Sequence, residues 1–351
     1  MRTRANKQSG ATIKDVADLA GVSAMTVSRV LNSGHRVRPA TQERVEAAIR
    51  ELNYRPNLSA RSLAKARSLF IGLLYNNPNP GYVSELLIGL MNRCRQVGYH
   101  LVIENFGSTD EEWAADIDGL LSSSNFDGLI VAPPVSDFDS VISAIERADL
   151  PCVRIAPEQE PDLFASVRTD DRDAARRMTR HLLDLGHRRL GFIAGDAGHG
   201  ASRQRMSGFC AALEDAGIEL EDALIVEGRF TYRSGLAAAE KLLSMPEPPT
   251  AIFASNDDMA AAVVGVAARK GIDVPGQLSV AGFDDTHTAT TLWPQLTTVR
   301  QPIADMAGAA VDLLTAAINA EPDQDVAQTQ RLLPCEVIIR DSSCPVAPDR
   351  G

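Results

Sequence analysis

Two spacings of apolar residues divide this chain into a short first part and a long second one. In the first part Ile13, Val16, Ala17 and Ala20 recur at i, i+3, i+4 and i+7, the stripe of one helical face. Thr12, with Asp15 three residues on, is a variant of the capping box, so a helix is predicted to start at Ile13. Gly21-Val22-Ser23 interrupts it. Ser23 can cap a second helix in which Val27, Val30 and Leu31 point inward while Ala24, Met25, Ser28 and Arg29 stay exposed. A third helix is predicted from Pro39 to about Asn53, with Val45, Ala48, Ile49 and Leu52 as its stripe. Two short helices joined by a three-residue glycine turn suit a helix-turn-helix, whose second helix enters a major groove. The plainer alternative is a surface helical hairpin.

Tyr54-Arg55-Pro56-Asn57 stops the third helix, and LSARSLAKARS follows at 58–68. That segment carries Arg61, Lys65 and Arg67 but too few apolar residues to hold a helix alone. It is either a linker or a segment that orders on DNA.

From Leu69 onward short apolar runs alternate with amphipathic stretches. Strands are predicted at 69–75, 100–105, 128–133, 151–156, 189–195, 223–228, 250–255 and 278–284, with helices such as 84–98 and 173–186 between them. This alternation predicts doubly wound parallel sheets with helices on both faces. Some 280 residues exceed one small sheet, so two lobes are expected, with a ligand beyond the strand ends in the cleft between them.

Charge sharpens the division. The chain of 351 residues has a net charge of −11, but residues 1–67 hold 13 Lys and Arg against 5 Asp and Glu, a net of +8 that leaves −19 for the rest. A basic head on an acidic body confines any phosphate contact to the head. The five cysteines are scattered without a CxxC pair, no run approaches 18 apolar residues, and MRTRANKQSGATIKD lacks a signal-peptide core. The expectation is a cytoplasmic protein without a membrane span.

Enzyme chemistry is the competing class. The loop GDAGHG (195–200) lacks both GxGxxG and GxxxxGK[ST], and no GxSxG elbow is present. Asp284, Asp285 and His287 have no further ligand at suitable spacing, so neither a metal nor another cofactor is expected. His187 in LGHRR reads as a helix-to-strand turn.

ATIKDVADLAGVSAMTVSRVLN, TQERVEAAIRELNYRPN and SARSLA resemble the head and hinge of the lactose/galactose repressor family of bacterial transcription regulators. HLLDLGHRRLGFIAG, RQRMSGF, ASNDDMAAAVVGVAARKGIDVPGQLSVAGFDD and PQLTTVRQP extend the resemblance through a body of the periplasmic-binding-protein type. It implies a helix-turn-helix domain over 1–57, a hinge over 58–68, a ligand-binding and dimerisation body over 69–342, and a tail over 343–351. Lobe 1 is expected at about 69–168 and 299–331, lobe 2 at about 169–298 and 332–342.

The resemblance assigns DNA contacts to Thr12, Ser23, Ala24, Met25, Thr26, Ser28, Arg29, Asn32, Tyr54 and Asn57, with Ala60 and Leu63 in the hinge. A leucine at the Leu63 position wedges between central base pairs of the minor groove. Arg38 departs from the Ser or Thr usual before the third helix. Effector contacts fall on Tyr82, Arg205, Phe230, Asn256 and Asp284. Arg205 offers a planar fork, Asp284 an acceptor, Asn256 both donor and acceptor, and Phe230 a face for a pyranose ring. A strand-end Asp can instead cap the next helix, and Phe230 can be core. The implied protein is a homodimeric repressor of sugar-utilisation genes, released from a palindromic double-stranded DNA operator by a small sugar effector. The alternatives are a purine-like or other corepressor, or control by a protein partner.

Overall fold

The structure, a computed structural model, describes residues 11–32, 37–54, 67–160, 162–320 and 329–346. The chain forms two compact units, Met1–Ser68 and Leu69–Gly351.

In the first unit, helices α1 (Ile13–Ala20), α2 (Ala24–Asn32) and α3 (Pro39–Glu51) follow the sequence pattern. The capping box closes, with Asp15 N donating to Thr12 Oγ1 at 3.3 Å and Thr12 N to Asp15 Oδ2 at 2.7 Å. Gly21 ends α1 at φ 62°, a left-handed position where a Cβ would be strained. Thr26 N donates to Ser23 Oγ at 3.2 Å at the start of α2. Arg38 makes no side-chain cap bond, and Pro39 presets the backbone of α3 in its stead. Val16, Val27 and Val45 are fully buried where the helices meet, and Ala17, Ala20 and Ala48 let them approach closely. Each such valine stabilises the head by about 1.5–3 kcal/mol.

The second unit is built twice on one plan. Lobe 1 holds β1 (Phe70–Leu74), β2 (His100–Glu104), β3 (Gly128–Val131), β4 (Cys152–Ile155), β5 (Ala165–Thr169) and β11 (Gln330–Leu333), in the order β2-β1-β3-β4-β5-β11. Lobe 2 holds β6 (Leu190–Ala194), β7 (Ile225–Glu227), β8 (Ala251–Ala254), β9 (Ser279–Asp284), β10 (Thr297–Arg300) and β12 (Glu336–Ile338), in the order β7-β6-β8-β9-β10-β12. All pairings are parallel except β10 with β12. One face of the first sheet packs on α4 (Pro80–Val97) and α11 (Ile303–Asn319), the other on α5 (Asp110–Ser123) and α6 (Asp139–Arg147). The second sheet lies between α7 (Asp171–Asp184) with α8 (Gly200–Asp215) and α9 (Tyr232–Leu243) with α10 (Asp257–Lys270). Burial on both faces is why these strands read as unbroken apolar runs.

Strands β5, β11 and β12 fall outside the predicted set, and β10 lies in the segment expected to cross between lobes. The crossing itself is displaced. Val299 and Arg300, expected in lobe 1, pair with Phe283 and Asp284 in the second sheet, so the chain crosses after β10, at Gln301 and Pro302. Leu332 and Leu333, expected in lobe 2, pair with Arg168 and Thr169 in the first sheet. Ladder hydrogen bonds decide membership here, and hydropathy does not report them. The expected boundary between body and tail also gives way. Ser342 is fully buried and accepts Val280 N at 2.7 Å through its carbonyl, Cys344 N donates to Ser279 Oγ at 3.0 Å, and Val346 N reaches Leu185 O at 2.9 Å. Residues 341–346 are a strap on lobe 2. His187 lies beneath it, bonded to Thr250 Oγ1 and Ser279 Oγ at 3.0 Å each.

In both lobes the strand order reverses direction at the first strand, which opens a crevice at the carboxyl ends of β1 and β3 and of β6 and β8. Loops from both crevices line the site.

Candidate functional site

On the head, the helix expected to read DNA presents Ala24, Met25 and Arg29 to solvent, Met25 at 65 % exposure. Thr26 and Ser28 are half-buried beside the fully buried Val27. Ser23 is exposed at the helix start, its hydroxyl 2.9 Å from Thr26 Oγ1, and Thr12 is exposed in its capping box. Asn32 ends α2. Tyr54 packs partly buried against the head core, its N–H donated to Ile49 O at 3.0 Å. Asn57, Ala60 and Leu63 lie outside the described residues.

In the body, a cavity of about 40 Å³ lies where the two lobes face each other. Tyr82, Arg205, Phe230 and Asp284 line it, with Asn79, Asp171, His199 and Gln301. Its position follows from the strand ends. Asn79 belongs to the loop after β1 and caps α4, accepting Tyr82 N at 3.2 Å, so the cap also sets Tyr82 at the cavity. Asp284 ends β9, and Arg205 comes from the second turn of α8. Gly208 makes that placement possible, because a methyl there would overlap the Arg172 carbonyl and hold α7 away from α8. Phe230 stands over Gly195, where a methyl would occupy the ring's position.

Backbone strain concentrates at this site. Ala156 (φ 46°), Phe230 (φ 56°) and Asp284 (φ 107°) all line the cavity in a region that favours glycine, and Asp285 (φ 60°) adjoins it. Each such residue costs on the order of 1–3 kcal/mol, a cost typical of positions held for function.

Asp284 is 2 % exposed and is the centre of a network that spans the lobes. It accepts Asn79 Nδ2 from lobe 1 at 2.6 Å and Gln301 Nε2 from the crossover at 2.7 Å, and lies 3.4 Å from Arg205 Nη1. Arg205 donates Nε to Asp171 Oδ2 at 2.8 Å and lies 3.7 Å over the Phe283 ring centroid. Burial pushes the Asp284 carboxyl up to about 7, although Arg205, Gln301 and Asn79 pull the other way. Burial also works against the Arg205 charge, but Asp171 and then Asp284 hold its pKa above the ordinary value. The difference follows from distance, since Asp171 is the nearer partner. Burial, then the Asp284 and Asp171 charges, raise Tyr82. The guanidinium is thus satisfied within the protein, and the cavity offers an incoming anion no unpaired cation.

Asn256 is the nominee that the geometry sets aside. It is fully buried and outside the cavity lining, with Oδ1 accepting Met259 N at 3.0 Å and Nδ2 donating to Phe230 O at 2.9 Å. It caps α10 and holds the strained Phe230 backbone, and its donor and acceptor are both occupied. The lining residues missed in sequence include Asn79, Asp171, His199 and Gln301. Asp257 was missed too. Its fully buried carboxylate accepts Thr286 N at 2.7 Å and Thr298 Oγ1 at 2.6 Å behind Asp284, and burial followed by the Asp284 charge raises its pKa well above the ordinary value. The ND pair at 256–257 was the available signal for Asp257. Asp285 turns away to Arg300 at 2.7 Å and Arg340 at 2.6 Å. Among the described residues no group of three or more His, Cys, Asp or Glu is placed to hold a metal ion, and no helix is long and apolar enough to cross a membrane.

A helix-turn-helix head and a two-lobed body with an interlobe cavity define a DNA-binding transcription regulator controlled by a small molecule. Comparison with known proteins agrees. Residues 12–57 match "Bacterial regulatory proteins, lacI family", and residues 179–343 match "Periplasmic binding protein-like domain". The chain is 33% identical over 334 residues to catabolite control protein A of Priestia megaterium, covering 95% of this chain and 99% of that one. It is 34% identical over 342 residues to the HTH-type transcriptional repressor CytR of Escherichia coli K12, covering 97% and 98%. Among solved structures it resembles the lac repressor dimer bound to operator and the anti-inducer ONPF, at TM-score 0.75 and 30% identity over 96% of this chain and 100% of that one. It also resembles a complex of the transcriptional regulator CelR with cellobiose, at TM-score 0.72 and 30% identity over 95% and 100%. The chain belongs to the lacI family of bacterial regulatory proteins.

Proposed function

We propose that the protein is a repressor that holds a palindromic operator as a homodimer and releases it when an uncharged, hydroxyl-rich effector, a sugar, binds between the lobes. The observation that carries this reading is the position of Asp284, which the ligand would touch and which also bonds lobe 1, the crossover and Arg205. A ligand that draws on Asp284 therefore changes what joins the lobes. Charge favours a neutral ligand, because Arg205 is already paired with two carboxylates. The cellobiose complex of the similar CelR supports a carbohydrate.

A single helix-turn-helix reads one half-site, so useful affinity requires two copies. The operator-bound lac repressor dimer supports that assembly. So do Ile88 and Met91, three residues apart on α4 and 54 % and 51 % exposed, and Trp293 at 83 %. Arg29 reads a base, and the exposed Ala24 and Met25 offer apolar contact to a thymine methyl. Residues 58–68 lead from the head into lobe 1. Lobe rotation alters the spacing at which two Leu63 side chains meet in the minor groove. The effector shifts that equilibrium by its differential affinity, typically about 1–3 kcal/mol per site.

Thermal melting of the full chain with a panel of sugars finds the ligand, because binding to the native state raises the midpoint. Asp284→Ala should then abolish that rise and the loss of operator binding on ligand addition. Retention of full ligand affinity by Asp284→Ala would place the effector elsewhere.

A further inference from the structure

The loop after β4 carries Glu158 from lobe 1 to lobe 2. Its carboxylate pairs with Arg203 near the start of α8, and Oε1 accepts Gln204 Nε2 at 3.3 Å. Gly200, the first residue of α8, leaves room for it, because a methyl there would lie 2.7 Å from both Glu158 Cβ and Oε2. The carboxylate thus meets the positive end of a 16-residue helix as well as a guanidinium. Arg203 is anchored in turn, with Nη1 donating to Ala197 O at 2.7 Å. Lobe 1 braces the loop from behind. Arg154, 1 % exposed on β4, donates Nε to Ser136 O at 2.8 Å, Nη1 to Glu160 O at 2.7 Å and Nη2 to Gln159 O at 2.7 Å. Asp137 Oδ1 accepts Glu158 N at 2.9 Å and Gln159 N at 3.0 Å. Ala156 (φ 46°) and Glu160 (φ 41°) flank the segment in the left-handed region, a strain that persists only where the surroundings over-determine the backbone. What this bracing fixes is the direction of Glu158, whose carboxylate partners lie on the other lobe.

Glu158, Gly200 and Gln204 line a pocket of about 250 Å³ beside the interlobe cavity, and Ala156, Asp171 and Ala201 line both. The interlobe cavity, at about 40 Å³, is far below the roughly 300 Å³ of an ordinary small-molecule pocket. A ligand of that class enters only when the lobes part. Parting them between Ala156 and Ala201 breaks the Glu158 contact, which lies two residues further along each segment.

We propose that Glu158, Arg203 and Gln204 form a latch that holds the ligand-free lobes in the arrangement that grips operator, and that opening it is a step in release. The latch is separate from the bonds to Asp284, and none of its three residues lines the interlobe cavity. Its coupling to DNA rests on the repressor reading above, whereas the latch itself does not.

Hydrogen exchange of the ligand-free full chain, read by mass spectrometry, tests the latch. Fluorescence anisotropy on an operator selected from random duplexes by the unsubstituted protein tests its coupling. Glu158→Gln keeps the side-chain shape and removes the charge. It should speed exchange of residues 158–160 and 200–206 by about three- to fivefold, the size expected of a partly exposed ion pair, while residues 257–270 of α10 stay unchanged. Operator affinity without any sugar should fall by a similar factor. Arg203→Gln should have the same two effects. Glu158→Arg sets two guanidiniums against each other and should exceed both, and adding Arg203→Glu should recover part of the loss. The Glu158 and Arg203 side chains are 23 % and 44 % exposed, so these substitutions spare the core. Unchanged exchange at 158–160 and 200–206, equally faster exchange at 257–270, or a double variant no better than Glu158→Arg overturns the latch and leaves the repressor reading standing. Faster exchange confined to the two segments, with operator affinity unchanged or raised, overturns the coupling and with it the control of DNA by lobe arrangement.

Discussion

Asp284→Asn replaces a buried carboxylate by a neutral group of the same shape, and its effect on stability should depend on pH in a calculable way. The Asp284 pKa is pushed up from 3.8 to about 7, so between those values the folded chain binds a proton that the unfolded chain has released. The stability contributed by the protonated carboxyl is fully present below about pH 4 and is lost as pH rises through 7. A shift of roughly three units corresponds to on the order of 4 kcal/mol. The substitution leaves one amide, Asn79 or Gln301, to find another acceptor, a cost of about 1 kcal/mol that is the same at every pH. It cancels when the variant-minus-wild-type difference is compared across pH, as do the titrating groups that the Asp284 charge does not reach. At about 2 °C per kcal/mol for a domain of this size, the difference in midpoint should move by roughly 5–8 °C in favour of Asp284→Asn between pH 4.5 and 8. Differential scanning calorimetry of the ligand-free full chain at four pH values measures it. A flat difference, or one that favours the wild type at pH 8, would show that the bond to Arg205 outweighs burial and that the reasoning is wrong.

Hydroxyl donors favour the Asp284 carboxylate over its acid, so calorimetric affinity for the effector should rise between pH 6 and 8, and an affinity that falls across that range contradicts the assignment. Thr12→Ala removes the reciprocal cap of α1 and should cost about 1 kcal/mol, read as roughly fivefold faster amide exchange in residues 13–20, against no change if the cap is idle. Arg29→Ala should cost about 1–3 kcal/mol at one base position per half-site in a base-substitution panel, whereas equal weakening on every DNA sequence would make Arg29 a phosphate contact. Trp293→Asp, on an 83 % exposed ring, should produce monomers in sedimentation at micromolar concentration, and an intact dimer would move the interface elsewhere.

The head was legible because its signals are local. Thr12 caps within three residues, Gly21 needs its φ of 62°, and the inward set Val16, Val27 and Val45 follows the helical period. The central strands were legible because burial on both faces writes them as continuous apolar runs. Strand β5 was not, because its buried interior includes Ser166, fully buried although polar, and β12 is a three-residue edge whose residues are half-exposed or exposed. The candidate site divides in the same way. Arg205, Phe230 and Asp284 lie in motifs that family resemblance can mark. Asn79 was not legible, because its role depends on an amide meeting a carboxylate 205 residues away. Asn256 misled for a related reason, since an Asn after a strand serves equally well as a ligand group or as a helix cap, and only the Met259 N–H at 3.0 Å decides between them.

The central claim is that ligand in the cleft controls the grip of a dimer on a palindrome. Fluorescence anisotropy of a labelled operator, selected from random duplexes by the full chain and titrated with protein in the presence and absence of the sugar found by melting, tests it most directly. The account predicts that the selected DNA is an inverted repeat, that saturating sugar weakens binding by roughly 5–150-fold, and that Asp284→Ala binds the same DNA without responding to the sugar. Selection of a non-repeated site, or an operator affinity that saturating sugar leaves unchanged in the unsubstituted protein, would contradict it.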